Sequence, residues 1–310
     1  MALRLVRDGT KIPFMRGRIA GLVVSALLSI ASVALFFYPG MNYGIDFKGG
    51  IVLEVRTPGP ADFPAMRAVI AGAGVGEASL QQFGSPTEVL VRMEAQADEA
   101  AQSRAVAAVR AALEQSMPGS RVVRVEAVGS RVSAELFTAG MTALGMALLA
   151  ILLYIWFRFE WQFAVGAVAT LVLDVTKAIG FLALTRIEFD LATVAALLTI
   201  IGYSVNDKVV VYDRMRENLR KYKTMPLREL IDLSINETLS RTIGTSATAF
   251  VAVLPLAALT TGSVQGFALT MLFGIVVGTS SSIFIAAPIL LFLGENKLRR
   301  GVEVPSPAAG

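Results

Sequence analysis

Six long apolar runs constrain this chain more than any other feature of its sequence. They fall at about 19–38, 136–157, 162–184, 189–211, 242–260 and 266–293. About 20 apolar residues cross a bilayer core as a helix. A buried soluble core explains one or two such runs, but not six. They raise the apolar content to 55% and the mean hydropathy to +0.63, against ~45–50% apolar residues in a soluble domain. The expected architecture is a polytopic α-helical membrane protein. The first run is too long for a signal-peptide core, and no small-x-small site precedes Tyr38-Pro39-Gly40, so it is expected to be retained as an anchor.

Charge placement predicts the topology. The net charge is +4, yet the segment 39–135 carries 9 Lys+Arg against 11 Asp+Glu. The basic excess lies in short flanks of the apolar runs: Arg4, Arg7, Lys11, Arg16 and Arg18; Arg158; Arg214, Arg216, Arg220, Lys221 and Lys223; Lys297, Arg299 and Arg300. Short basic loops stay in the cytoplasm. Both termini (1–18 and 294–310) are therefore expected inside. The segment 39–135 and short loops near 185–188 and 261–265 are expected outside. The same distribution speaks against nucleic acid as a partner. Cysteine and histidine are both absent, which removes thiol nucleophiles, disulfides and zinc clusters and leaves proton chemistry to carboxylates, Lys or Tyr. There is no G-x-x-x-x-G-K-[ST] sequence and no nucleophile–base constellation. Neither enzyme activity, nor a metal, nor a cofactor is expected.

Within 39–135 the periodicity changes. Strands are expected at 51–56, 79–83, 89–94 and 121–128, and helices from Asp62 to about 73 and over 98–117. The order β-α-β-β-α-β predicts a small ferredoxin-like sandwich. Further on, the amphipathic stretch 227–239 within 213–241 is expected to lie along the cytoplasmic membrane surface. Gly274 and Gly278 form a GxxxG, which lets helices approach closely, and Pro288 is expected to kink the last span. Thr279-Ser280-Ser281-Ser282 is polar for a spanning run. It suits either hydrogen bonding between helices or a wet path for protons.

An ionisable group at a helix centre costs roughly 2.5–3.5 kcal/mol on insertion, so each one needs a reason. In the third run Asp174 and Lys177 share a face at i,i+3 and can neutralise each other. In the fourth, Asp207 and Lys208 are adjacent and point about 100° apart. Asp207 is expected to face the bundle while Lys208 reaches toward the interface. Asp213 reads as one side of an interfacial salt bridge. Arg241 opens the fifth run near the same depth. A carboxylate facing Arg or Lys in a low-dielectric bundle is a bistable pair whose protonation can move helices.

At these residues the chain resembles a known family. Gly202-Tyr203-Ser204-Val205-Asn206-Asp207 with Val209-Val210-Val211-Tyr212-Asp213-Arg214 is similar to the fourth-helix motif of the SecF family of the bacterial Sec translocase. Gly44-Ile45-Asp46-Phe47-Lys48-Gly49-Gly50 is similar to the Asp-Phe-x-Gly-Gly motif that follows the first helix in SecD and SecF. Leu239-Ser240-Arg241-Thr242 and Gly278-Thr279-Ser280-Ser281-Ser282 also resemble it, and the likeness covers essentially 1–295. It implies a six-helix half of an RND-type bundle with a periplasmic α+β domain, in the inner membrane. It further implies pairing with SecD, association with SecYEG (SecA and YajC in the wider complex), and proton-driven help in the late translocation of secretory preproteins. The relay carboxylate falls on Asp207, the functional arginine on Arg241, and Asp174 sits in the family's third-helix Asp-Val motif. Lys208 and Lys177 depart from the pattern. Asp46, Phe47, Gly49 and Gly50 are expected to make a rigid junction between the first helix and the outer domain. That domain is expected to receive motion only through helix packing. Rival readings are half of an RND-type exporter of lipids or small molecules, and a passive translocon scaffold.

Overall fold

The protein's computed structural model describes residues 10–293. Residues 1–9 and the tail 294–310, with Arg4, Arg7, Lys297, Arg299 and Arg300, lie outside the described residues. In chain order the elements are α1 (Arg18–Leu35), α2 (Ile45–Lys48), β1 (Gly50–Arg56), α3 (Phe63–Gly72), β2 (Ala78–Phe83), β3 (Ser85–Met93), α4 (Glu99–Ser116) and β4 (Arg121–Val128). There follow α5 (Ser130–Arg158), α6 (Trp161–Thr185), α7 (Leu191–Lys221), α8 (Leu227–Leu259), α9 (Gly262–Ser281) and α10 (Ala287–Leu293). Six helical spans are long and apolar enough to cross a membrane: Phe14–Gly40, α5, α6, α7, α8 and Gly262–Phe292.

The bundle has a centre and a rim. In α6, α7 and the last span, 56% of the apolar window is buried, against 17% or less in the first span, α5 and α8. Small residues set the spacing. A Cβ on Gly180 of α6 would fall 2.6 Å from the Ser32 backbone of α1, and one on Gly274 of α9 would fall 2.2 Å from Ile200 Cγ1 of α7. Gly278 likewise faces Ser204. The GxxxG thus brings α9 onto α7 along Ile200 and Ser204. The chain widens into a π turn at Ser282–Ala286 before Pro288. Proline needs room against the carbonyl four residues back, and the wide turn provides it. Tyr212 OH donates to the Ala286 carbonyl there, at 3.1 Å.

The small domain has the expected β-α-β-β-α-β order. Its sheet runs β2-β3-β1-β4 with every neighbouring pair antiparallel. Asp62 caps α3 by accepting from Ala65 N, and Asp98 caps α4 by accepting from Ala101 N. Alternation in the strands then decides the faces. Ile51, Leu53, Val55, Val89, Val91 and Met93 meet Met66, Ile70, Val109 and Leu113 of the two helices in one core. The opposite face, with Glu54, Leu90 and Glu126, overlooks the α6–α7 and α8–α9 turns across a cleft of about 300 Å³.

The amphipathic stretch requires a correction. No separate surface helix occupies 213–241. Helix α7 continues to Lys221, and α8 starts at Leu227 and runs unbroken to Leu259. Leu227, Leu230, Ile231 and Ile235 are buried in one cluster with Met215 and Leu219 of α7. Asn218 Nδ2 donates to Ser234 Oγ at 3.0 Å, and Arg214 Nε to Glu237 Oε2 at 2.7 Å. The apolar stripe is satisfied by a neighbouring helix rather than by lipid. Asp232 and Asn236, on α8, also hold the chain before α1 by accepting from the Met15 and Ile12 backbone N–H groups.

The close approaches give a stability prediction. Gly180→Ala should lower stability by ~1–3 kcal/mol, because the overpacking is against backbone. Gly244→Ala, with nothing within 4 Å of its Cβ, should be neutral or stabilising by up to ~1 kcal/mol through helix propensity. Thermal unfolding in detergent checks both; equal effects would contradict the packing.

Candidate ion-coupling site

Two Asp–Lys sets are buried in the middle of the bundle: Asp174 (1% exposed) with Lys177 (5%), and Asp207 (4%) with Lys208 (0%). Helix α6 supplies the first pair and α7 the second. Helix α9 adds the hydroxyls that its close approach to α7 brings within reach.

Asp174 is the hub. Its Oδ2 accepts from Lys208 Nζ at 2.9 Å, Ser204 Oγ at 2.8 Å and Ser281 Oγ at 2.7 Å. Its Oδ1 lies 3.7 Å from Lys177 Nζ and has no hydrogen bond. The expected i,i+3 ion pair is therefore present but is the longer of two. Lys208 does not reach toward the interface. It is fully buried; Ser204 Oγ also accepts from it, and Ser281 Oγ and the Ser204 carbonyl lie at 3.3 and 3.4 Å and compete for its third proton. Burying an ammonium and a carboxylate together with hydroxyls satisfies both. Removing one partner of such a pair costs roughly 3–5 kcal/mol.

Asp207 sits apart from that hub. Ser282 Oγ donates to its Oδ2 at 3.3 Å, and the buried Thr242 hydroxyl of α8 faces the same carboxylate without a well-aligned hydrogen bond. The cations of Lys208 and Arg241 both act on it electrostatically. Arg241, expected near the same depth, is exposed and makes no ion pair among the described residues. A row of hydroxyls lies on the small-domain side of Asp207 and stops short of it. Tyr203 OH donates to Ser246 Oγ at 2.8 Å and Ser246 Oγ lies 2.7 Å from Thr279 Oγ1, while Ser282 Oγ is within reach of the Thr279 carbonyl at 2.8 Å and of Asp207 Oδ2 at 3.3 Å. Gly202 and Asn206, one turn apart, face outward with Thr199 on an exposed stripe of α7. Asp213 pairs with Arg158 at 2.9 Å at the far end.

The Asp46 motif joins the small domain to α7 itself. Asp190 caps α7 through a reciprocal bond with Thr193. Asp46 Oδ2 accepts from Leu191 N at 3.0 Å and so satisfies a second free N–H of the same helix end. Two carboxylates at a helix N-terminus also suit its dipole. Phe47 is buried between Phe137 and Phe189, with ring centroids at 5.5 and 5.3 Å. Gly49 and Gly50 have φ of +72° and +134°, and a Cβ on Gly50 would meet the Met93 carbonyl at 2.7 Å. Backbone bonds Gly44 N to Phe189 O and Phe189 N to Asn42 O complete the joint. Arg92 of β3 forms an ion pair with Glu188 of the α6–α7 loop. The domain is thus tied to the α6–α7 turn as well as to the first two spans, and packing is not its only link to the ionisable helices. Sequence reasoning singles out neither Glu188 nor Arg92, while Ser204 and Ser281 enter it only within longer motifs, Ser281 in the stretch expected to hydrogen-bond between helices, as it does. Glu188, a charge in a very short loop between spans, was the available signal.

Two predictions follow from this joint. Asp46→Ala should cost ~0.5–2 kcal/mol through the lost cap, read as loss of amide protection at Leu191; unchanged protection would contradict it. Burial holds the Glu188 carboxyl above its usual range, partly offset by Arg92. The folded chain then binds that proton more tightly than the unfolded chain does. Its share of stability should grow as pH falls through the raised pKa and be lost as pH rises through it. Glu188→Gln should flatten this part of the melting-temperature profile.

Comparisons with known proteins fit this arrangement. The family described as protein export membrane protein SecD/SecF, C-terminal, matches residues 108–296, and the SecD/SecF GG motif matches 34–57. The chain is 44% identical over 301 residues to the protein translocase subunit SecF of Rickettsia akari, covering 97% of each. It is 42% identical over 302 residues to that of Cereibacter sphaeroides, covering 95% of this chain and 93% of the other. Among solved structures it is similar to SecDF of Thermus thermophilus, described as a translocon-associated membrane protein. The TM-score is 0.80 at 34% identity, covering 94% of this chain but 39% of that one. A SecDF structure in a super-membrane-facing form matches with a TM-score of 0.62 at 33% identity, covering 97% of this chain and 40% of the other.

Proposed function

The chain belongs to the SecF branch of the SecD/SecF family of protein export membrane proteins, and on that premise we propose that it is a proton-driven accessory subunit of the Sec translocase. It pairs with SecD and acts alongside SecYEG, with SecA and YajC in the wider complex, to promote late translocation of secretory preproteins. The observation that carries this reading is Asp207. It is a buried carboxylate with the Ser282 and Thr242 hydroxyls beside it, in the middle of the helix whose first turn is capped by the small domain's own aspartate.

Protonation removes the charge that balances the buried lysines. The local charges of Asp174, Lys177, Asp207 and Lys208 then no longer cancel, which favours a different packing of α7. That helix ends in the joint with the small domain, so its displacement reaches the domain directly. Arg214, Arg216, Arg220 and Lys221 lie at the opposite end of α7, which supports a periplasmic small domain and cytoplasmic termini in the inner membrane. The whole SecDF chain is more than twice the length matched here, which supports a second half in trans. The outward stripe of Thr199, Gly202 and Asn206 suits that role, since small and polar residues are what associating membrane helices present.

Asp207→Asn in inverted vesicles with SecD and SecYEG should abolish most of the gradient-stimulated late translocation; full stimulation would overturn the proposal. Gly202→Leu should leave the melting temperature of the isolated chain unchanged or slightly raised, because its Cβ meets open space and leucine favours helix over glycine. It should lower recovery of SecD in co-purification several-fold.

A further inference from the structure

The surroundings of Lys208 have the chemistry of a metal-cation site. The ammonium lies 2.9 Å from Asp174 Oδ2, 3.3 Å from Ser281 Oγ and 3.4 Å from the Ser204 carbonyl, and it also contacts Ser204 Oγ. These oxygens come from three different helices, and every contributing side chain is at most 1% exposed. Ser204 Oγ donates to Asp174 Oδ2, and Ser281 Oγ donates to the same oxygen or to the Gly278 carbonyl, both acceptors away from the ammonium. Their lone pairs are thereby free to face the Lys208 nitrogen. This is the orientation that hydroxyl oxygens take around a cation, and carboxylate, hydroxyl and carbonyl together are a hard-oxygen donor set.

We propose that Asp174, Ser204 and Ser281 form a binding site for a monovalent alkali cation, held filled in this chain by the tethered ammonium of Lys208. Charge selects the class of ion. Asp174, Lys177, Asp207 and Lys208 sum to zero when all are ionised. An alkali cation in place of the ammonium keeps that sum, whereas a divalent ion would leave an uncompensated positive charge in the apolar bundle. Asp174 Oδ1 has no hydrogen bond, so the carboxylate has a further oxygen to offer. The ammonium is of similar size to K+ and larger than Na+, while choline is too large for a cage at this depth. A consequence rests on ion coupling at Asp207: Lys208 closes the neighbouring cage to bulk cations and leaves Asp207 as the exchangeable group. The binding test below does not depend on that consequence.

The test is thermal unfolding of the purified full chain in detergent, in NaCl, KCl or choline chloride at equal ionic strength. The unsubstituted chain should melt at one temperature in all three. Lys208→Ser, which empties the cage, should melt on the order of 5 °C higher in at least one alkali salt than in choline. Adding Asp174→Asn should remove that difference, and Lys208→Met, which keeps the stem without the charge, should not show it. Recovery of folded Lys208→Ser only in alkali salt would also support the site. Equal melting of Lys208→Ser in all three salts would overturn it, as would a salt effect that survives Asp174→Asn or a failure to recover the variant in any salt.

Discussion

The whole arrangement depends on keeping two carboxyl and two amino side chains inside an apolar bundle. Each alone would be expelled or neutralised. Together they are tolerable, because Asp174 gathers Lys208, Ser204 and Ser281 on one oxygen and faces Lys177 with the other. That requirement fixes the packing around it. Ser281 reaches the hub only if α9 lies close on α7, and the glycines at 274 and 278 make that approach possible. The most buried helices are accordingly those that carry the charge cluster.

Helix α7 is where this electrostatic constraint meets the mechanical one. Its middle carries Asp207 and Lys208. Its first turn is held by Asp190 from within and by Asp46 from the small domain. The Phe47 and Gly49-Gly50 parts of the same motif hold that contact in register, one by filling the aromatic pocket at the joint and the other by turning the chain into β1. At its far end α7 stays in the apolar cluster through Met215 and Leu219 and also pairs with the first half of α8 through Asn218 and Arg214. On the proposed function, an element held at both ends and charged in the middle is what would carry a change of protonation to the domain as movement, with no charge relay in the domain itself.

Much of this was legible in the sequence because it is local. Apolar runs, the strand alternation, the caps at Asp62 and Asp98 and the glycine turn all act over a few residues. What was not legible depends on helix rotation and tertiary neighbours. Lys208 could as well have pointed toward an interface; its partner Asp174 lies 34 residues away on another helix. The amphipathic pattern of 227–239 was real, but periodicity reports an apolar face and not whether lipid or protein covers it. Asp46 read as a turn residue because the amide it caps, that of Leu191, is 145 residues further along the chain. The motif was visible, but its contact was not.

The central claim is that Asp207 and the small domain communicate through α7. A double-mutant cycle tests it most directly, with Asp46→Ala and Asp207→Asn compared singly and together for gradient-stimulated translocation in reconstituted vesicles. If both act on one path, Asp46→Ala lowers stimulation in the unsubstituted background and changes nothing once Asp207→Asn is present. Independent, additive losses from the two substitutions would contradict the account.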